Sequence, residues 1–159
     1  MCNPACDRPC FTLDPPGLFV LPGIPADWRA IEVPSDRGRL FQLHPPVEDV
    51  GIFIDAVPRS GEIAGHEARD AVAGFVRQYR LRYPISILEL PDGYAASGTE
   101  QRAAAHFRRP ADDQHPEFDC VVMCIVRPQI ALMCTVTGSP GSPSVDVAER
   151  LFAAIRPAD

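Results

Sequence analysis

The sequence predicts an α+β domain: an antiparallel sheet of about six or seven strands sandwiched by two helices, in α/β/α layers. Three observations predict it. The segment Phe118–Val126 is apolar on both faces, with Cys120, Val122, Cys124 and Val126 on one and Val121, Met123 and Ile125 on the other. A strand that is apolar on both faces is covered on both faces. Two stretches change to the three- and four-residue period of an amphipathic helix and so supply the cover. Finally, there are 18 prolines in 159 residues, about 11% against a usual ~5%, and they cut the chain into short elements.

Residues 1–16 contain Pro4, Pro9, Pro15 and Pro16 and show no periodicity, so they are expected to form an extended tail ahead of a single domain at 17–159. Leu18–Leu21 fits a short first strand. Trp28–Val33 alternates, and Pro34–Gly38 supplies a turn. Leu40, Phe41 and Leu43 mark the next strand, and Val50–Val57 the one after, with Ile52 and Ile54 on one face and Phe53 on the other. A helix is then expected from Glu62 to Arg82, with Ala68, Ala71, Val72, Phe75, Val76 and Tyr79 as its apolar stripe. Ser60 is its expected N-cap, Arg80 and Arg82 suit its carbonyl end, and Pro84 stops it. Ile85–Leu90 reads as a strand, and Tyr94–Arg109 as another because Ala103, Ala105 and Phe107 alternate.

Phe118–Val126 and Ile130–Thr137 form a hairpin about Arg127-Pro128. Its register decides where the thiols point. Paired positions summing to 254 set Cys120 opposite Cys134, whereas a two-residue Arg127-Pro128 turn gives 255 and sends Cys134 to the other face. Ser142 then caps a last helix with Pro143 at its first position, Val145, Ala148, Leu151, Phe152 and Ile155 form its stripe, and Pro157 ends it.

Composition excludes several chemistries. All 15 basic residues are arginine, so neither Schiff-base chemistry nor a phosphate-loop lysine is available. A net charge of −6 disfavours nucleic acid and anionic membranes as partners. No window approaches a membrane span and no signal peptide is evident, so the expected location is cytoplasmic, with the six cysteines mostly reduced.

The order of elements resembles the PsbP-like fold family. This fold is shared by photosystem II extrinsic proteins, a nuclear-transport Ran-binding protein, LpqN-type lipoproteins and type VI secretion effector adaptors. The segments that carry the likeness are WRAIEV, GIFIDAV with its following helix, FDCVVMCIVRPQIALMCTVTG and the closing LFAAIRP, over roughly residues 17–157. With no export signal, the chain is nearer in type to the cytoplasmic adaptors, and the resemblance implies docking rather than catalysis.

Candidate chemistry is sparse. Cys2, Cys6 and Cys10 are spaced C-x3-C-x3-C, a beginning for a thiolate metal site against the alternative of incidental cysteines in a tail. Cys120, Cys124 and Cys134 read as core packing. Glu62, His66 and Asp70 stand at i, i+4 and i+8 on the expected helix, a row that suits a divalent metal or plain solvated ion pairs. His106, His115 and Asp119 fall in no recognised catalytic order, and Gly138–Ser142 is a loop before a helix rather than a phosphate loop.

The reading is therefore a non-enzymatic protein-binding domain, an adaptor or chaperone with no cofactor. Its partner would be another protein, such as an apolar segment of a secreted effector, with a homodimer as a further option. Phe53, Tyr94 and Met133 are the candidate contact residues against a core-packing alternative. Two other functions compete: a structural subunit whose N-terminal tail orders on a neighbour, and a small metal-binding or redox protein using the N-terminal cysteines.

Overall fold

The computed structural model describes residues 9–47, 49–89, 95–96 and 99–158. Its elements, in order, are β1 (Cys10–Leu13), β2 (Phe19–Pro25), β3 (Arg29–Val33), β4 (Arg39–His44), β5 (Val50–Pro58), α1 (Glu67–Arg82), β6 (Ser86–Glu89), β7 (Ala95–Ala96), β8 (Gln101–Arg109), β9 (Phe118–Arg127), β10 (Ile130–Gly138), α2 (Pro143–Ala154) and β11 (Arg156–Pro157). The fold is mixed α+β, and its strand pairs are antiparallel. The main sheet runs β3-β4-β5-β10-β9-β8-β6, with the short β7 also on β8, and a second sheet runs β1-β2-β11.

Two expectations about the chain ends are corrected. Cys10–Leu13 lies within the expected tail but is a strand, and Phe11 faces Ile24 on β2. Pro157 does not simply end the chain's last helix. It sits on β11, opposite Phe19, and the Ala158 N–H donates to the Leu18 carbonyl at 2.8 Å. Local periodicity is silent about such short strands because their pairing partners are distant in sequence.

The expected two-helix cover is also incomplete. On one face of the main sheet, Phe41, Leu43, Ile52, Ile54, Leu132 and Val136 pack beneath α2 and beneath Phe19, Leu21 and Ile24 of β2. On the other face, Ala68, Val72 and Val76 of α1 pack on Ala103, Ala105, Phe107, Cys120, Val122 and Cys124. Strands β9 and β10 contribute alternate residues to each cluster, as the pleat requires.

Helix α1 begins at Glu67 rather than Glu62, and its N-cap position is His66 rather than Ser60. Gly61 and Gly65 have φ of +103° and +55°, left-handed values that interrupt a helix. The first turn is served from a distance instead: Gln101 Oε1 accepts from the Ala68 N–H at 3.3 Å while its Nε2 donates to the Gly65 carbonyl at 2.7 Å. Arg59 holds the preceding loop, donating to the Gly61 and Arg127 carbonyls and pairing with Glu67 at 2.8 Å. At α2, Ser142 and Pro143 take the expected positions, but the Ser142 Oγ is buried and makes no hydrogen bond.

The hairpin turns on Pro128-Gln129, so Arg127 opposes Ile130 and paired positions sum to 257. Neither expected register holds. Proline is favoured at the first central position of a turn, which moves the turn one residue on. Cys134 now opposes Met123, on the face away from Cys120 and Cys124.

Candidate functional site

The register lays side chains in rows across the main sheet. On the α1 face, one row reads Val33, Leu40, Asp55, Met133, Cys124, Ala103, and the next reads Ile31, Gln42, Phe53, Thr135, Val122, Ala105. Each row changes character midway. Under α1 the side chains are small, which lets the helix axis approach the sheet closely. Towards β3 they are larger: Met133 packs at the margin of the cluster beneath α1, and Leu40 and Phe53 lie beyond it, because α1 packs on β8 and β9. Among the described residues, no element packs over β3, β4 and β5 on this side. Leu40, Phe53, Val57 and Met133 are half-buried there, and Ile31 is 44% exposed.

The structure thus brings Phe53 and Met133 onto one surface, diagonally across the β5–β10 pair. Tyr94 lies outside the described residues. Sequence reasoning missed Ile31 and Leu40; the signal was present in the alternation of β3 and β4, but only the register shows that their outer face continues that of Phe53.

A charge lies in the middle of this half-face. Asp55 stands between Leu40 and Met133, and its Oδ1 is buried without a hydrogen-bond partner. Burial pushes its carboxyl above the ordinary value, against the attraction of Arg37. The His44 Nε2 is likewise buried and unpartnered.

The opposite face has a polar margin of its own, along β8 and at the start of β9, beside the Val121, Met123 and Ile125 that pack into the core. Asp119, its side chain 8% exposed, accepts from Arg108 Nε at 2.6 Å and Nη2 at 3.0 Å, with His106 Nε2 at 3.4 Å. The Arg108 hydrogen bonds hold the Asp119 carboxyl below the usual range despite its burial. Glu100 accepts from Arg102 Nε and Arg127 Nε, each at 2.8 Å. Those two arginines also donate to the Ile155 and Pro157 carbonyls, which ties the sheet to the chain's last strand. His106 and Asp119 meet because β8 and β9 pair, which no sequence spacing between them foretells.

The remaining candidates separate. Cys10 is in a disulfide, which corrects the expectation of reduced cysteines there and removes its thiolate as a metal ligand. Cys2 and Cys6 lie outside the described residues. Cys120, Cys124 and Cys134 are free and buried. Burial pushes the Cys120 thiol up to about 12 and the Cys124 thiol up to about 11, and raises Cys134 also, so these are packing groups rather than nucleophiles. The Glu62, His66, Asp70 row is broken, because Glu62 precedes the helix. His115 Nδ1 pairs locally with Asp112 at 3.1 Å. Among the described residues, no group of three or more His, Cys, Asp or Glu side chains is placed to hold a metal, and no helix is long and apolar enough to cross a membrane.

No family model matches the chain, and no curated protein matches it. A solved crystal structure from Bacteroides thetaiotaomicron VPI-5482 is similar in fold, with a TM-score of 0.54 and 16% identity over 94% of this chain. The chain spans about half of that protein, 49% of its length. The likeness concerns the fold alone.

Proposed function

We propose that this chain is a non-enzymatic protein-binding domain of PsbP-like architecture, acting as an adaptor or chaperone in the manner of type VI secretion effector adaptors. The supporting observation is the half-face of Ile31, Leu40, Phe53 and Val57, left uncovered among the described residues and bordered by Met133. A contiguous apolar surface rimmed by polar groups is the usual mark of a protein contact. The buried thiols and the internally paired His106–Asp119–Arg108 group offer no reactive centre to set against it.

In the PsbP-like reading, the two helices are the outer layers and the β1-β2-β11 sheet is an elaboration beside α2. The disulfide at Cys10 counts against a cytoplasmic setting, since structural disulfides persist chiefly in oxidising compartments.

The test is stoichiometric co-purification from the source cell with the wild-type chain and with Phe53→Arg, each checked for folding by circular dichroism. A partner retained by the wild type and lost by the folded variant supports the reading. A partner retained equally by both places the contact elsewhere and overturns it.

A further inference from the structure

The apolar half-face is not chemically neutral: it holds the half-buried Asp55, whose Oδ1 is buried, and this constrains what docks there. Val33, Leu40 and Met133 share the row of Asp55, and Phe53 and Val57 flank it along β5 on the same face. The described residues give Asp55 no hydrogen bond and no ion pair, and Oδ1 is buried. Arg37, beyond the end of β3, is the charged group whose attraction opposes the effect of burial on it. A carboxylate surrounded by apolar side chains is unfavourable until a donor reaches it. The arginines of the polar half-face lie on the other side of the sheet and are already engaged.

We infer that this half-face takes an extended, apolar segment of a partner protein carrying a single cationic side chain. The cation pairs with Asp55, and the apolar side chains on either side of it settle on Leu40, Phe53 and Met133. This rests on the docking function above and adds the charge of the partner. The chain's net charge of −6 acts in the same sense, drawing a cationic segment in and repelling an anionic one.

Fluorescein-labelled extended peptides of alternating valine and threonine test this, identical except for a central arginine, norleucine or glutamate. Each is titrated by fluorescence anisotropy against the whole chain and its Asp55→Asn and Phe53→Ala variants, with thermal unfolding as the folding control. The arginine peptide should bind best, and Asp55→Asn should weaken it by about tenfold while leaving the norleucine peptide unchanged. Phe53→Ala should weaken both. Equal binding of arginine and norleucine peptides, unaffected by Asp55→Asn, overturns the charge pairing while leaving the docking function intact. If no peptide binds, the segment proposal fails, and docking then stands or falls with the Phe53→Arg co-purification.

Discussion

Among the described residues the main sheet leaves part of each face uncovered, and the two parts differ in how their charges are met. At β8 and β9, the open half carries Arg102, His106, Arg108 and Asp119, and its charges pair with one another or with the chain's own carbonyls. At β3, β4 and β5, the open half carries Ile31, Leu40 and Phe53 around Asp55, whose Oδ1 has no hydrogen-bond partner among the described residues. On the first surface, Arg108 engages the Asp119 carboxylate, and Arg102 and Arg127 engage Glu100. His106 Nε2 there stays buried without a hydrogen bond, as Asp55 Oδ1 does on the second.

Three measurements test this contrast. The largest effect belongs to paired aromatics on one face of the sheet. Phe107, fully buried beneath α1, should cost about 3–5 kcal/mol when changed to alanine. Phe53→Ala, on the uncovered half of that face, should cost about 1 kcal/mol or less. Denaturant unfolding of both variants checks this. Comparable losses would mean that Phe53 is core and that the half-face is closed.

Asp119→Ala should cost about 1–3 kcal/mol, because it removes the two hydrogen bonds from Arg108 to a largely buried carboxylate and leaves Arg108 only the longer contact with Glu117. The two carboxylates also give opposite pH dependences. Asp119 has a lowered folded pKa, so its stabilisation is present above the unfolded value near ~3.9 and is lost as pH falls through the folded one. Asp55 has a raised folded pKa, so its stabilisation holds at low pH and is lost as pH rises through that value. Stability measured against pH should therefore show a shallower acid limb in Asp119→Asn, with Glu100 and Asp112 among the groups supplying what remains, while Asp55→Asn should gain stability at neutral pH.

The smallest effect concerns α2, on the covered side. A working N-cap serine is worth about 1 kcal/mol, but the Ser142 hydroxyl is buried without a partner. Ser142→Ala should then change the unfolding free energy by no more than about 0.5 kcal/mol. A larger loss would show that the hydroxyl caps α2 after all.

Much of the fold was legible in the sequence where one element's own period carried the information. The strands at Val50–Pro58, Phe118–Arg127 and Ile130–Gly138 and both helices follow from alternation or from the helical stripe. The start of α1 was not, because Gly65 and the distant Gln101 set it rather than Ser60. Of the candidate contact residues, Phe53 and Met133 were named from exposure arguments, but their adjacency depends on the β5–β10 register. Ile31 and Leu40 escaped notice because each, read alone, is an ordinary strand residue.

The sequence by itself determined the class of the domain, the apolar and polar sides of its longer strands, and the exclusion of lysine-dependent chemistry. These are properties of composition and of neighbours within one segment. Only the tertiary structure decided which outward faces became core. Nothing in the alternation of β4 or β5 says that α1 covers β8 and β9 and stops short of Phe53, or that Asp55 lacks the partner that Asp119 finds in Arg108. Those outcomes depend on where separate elements come to rest, and burial, unlike periodicity, belongs to the assembled sheet.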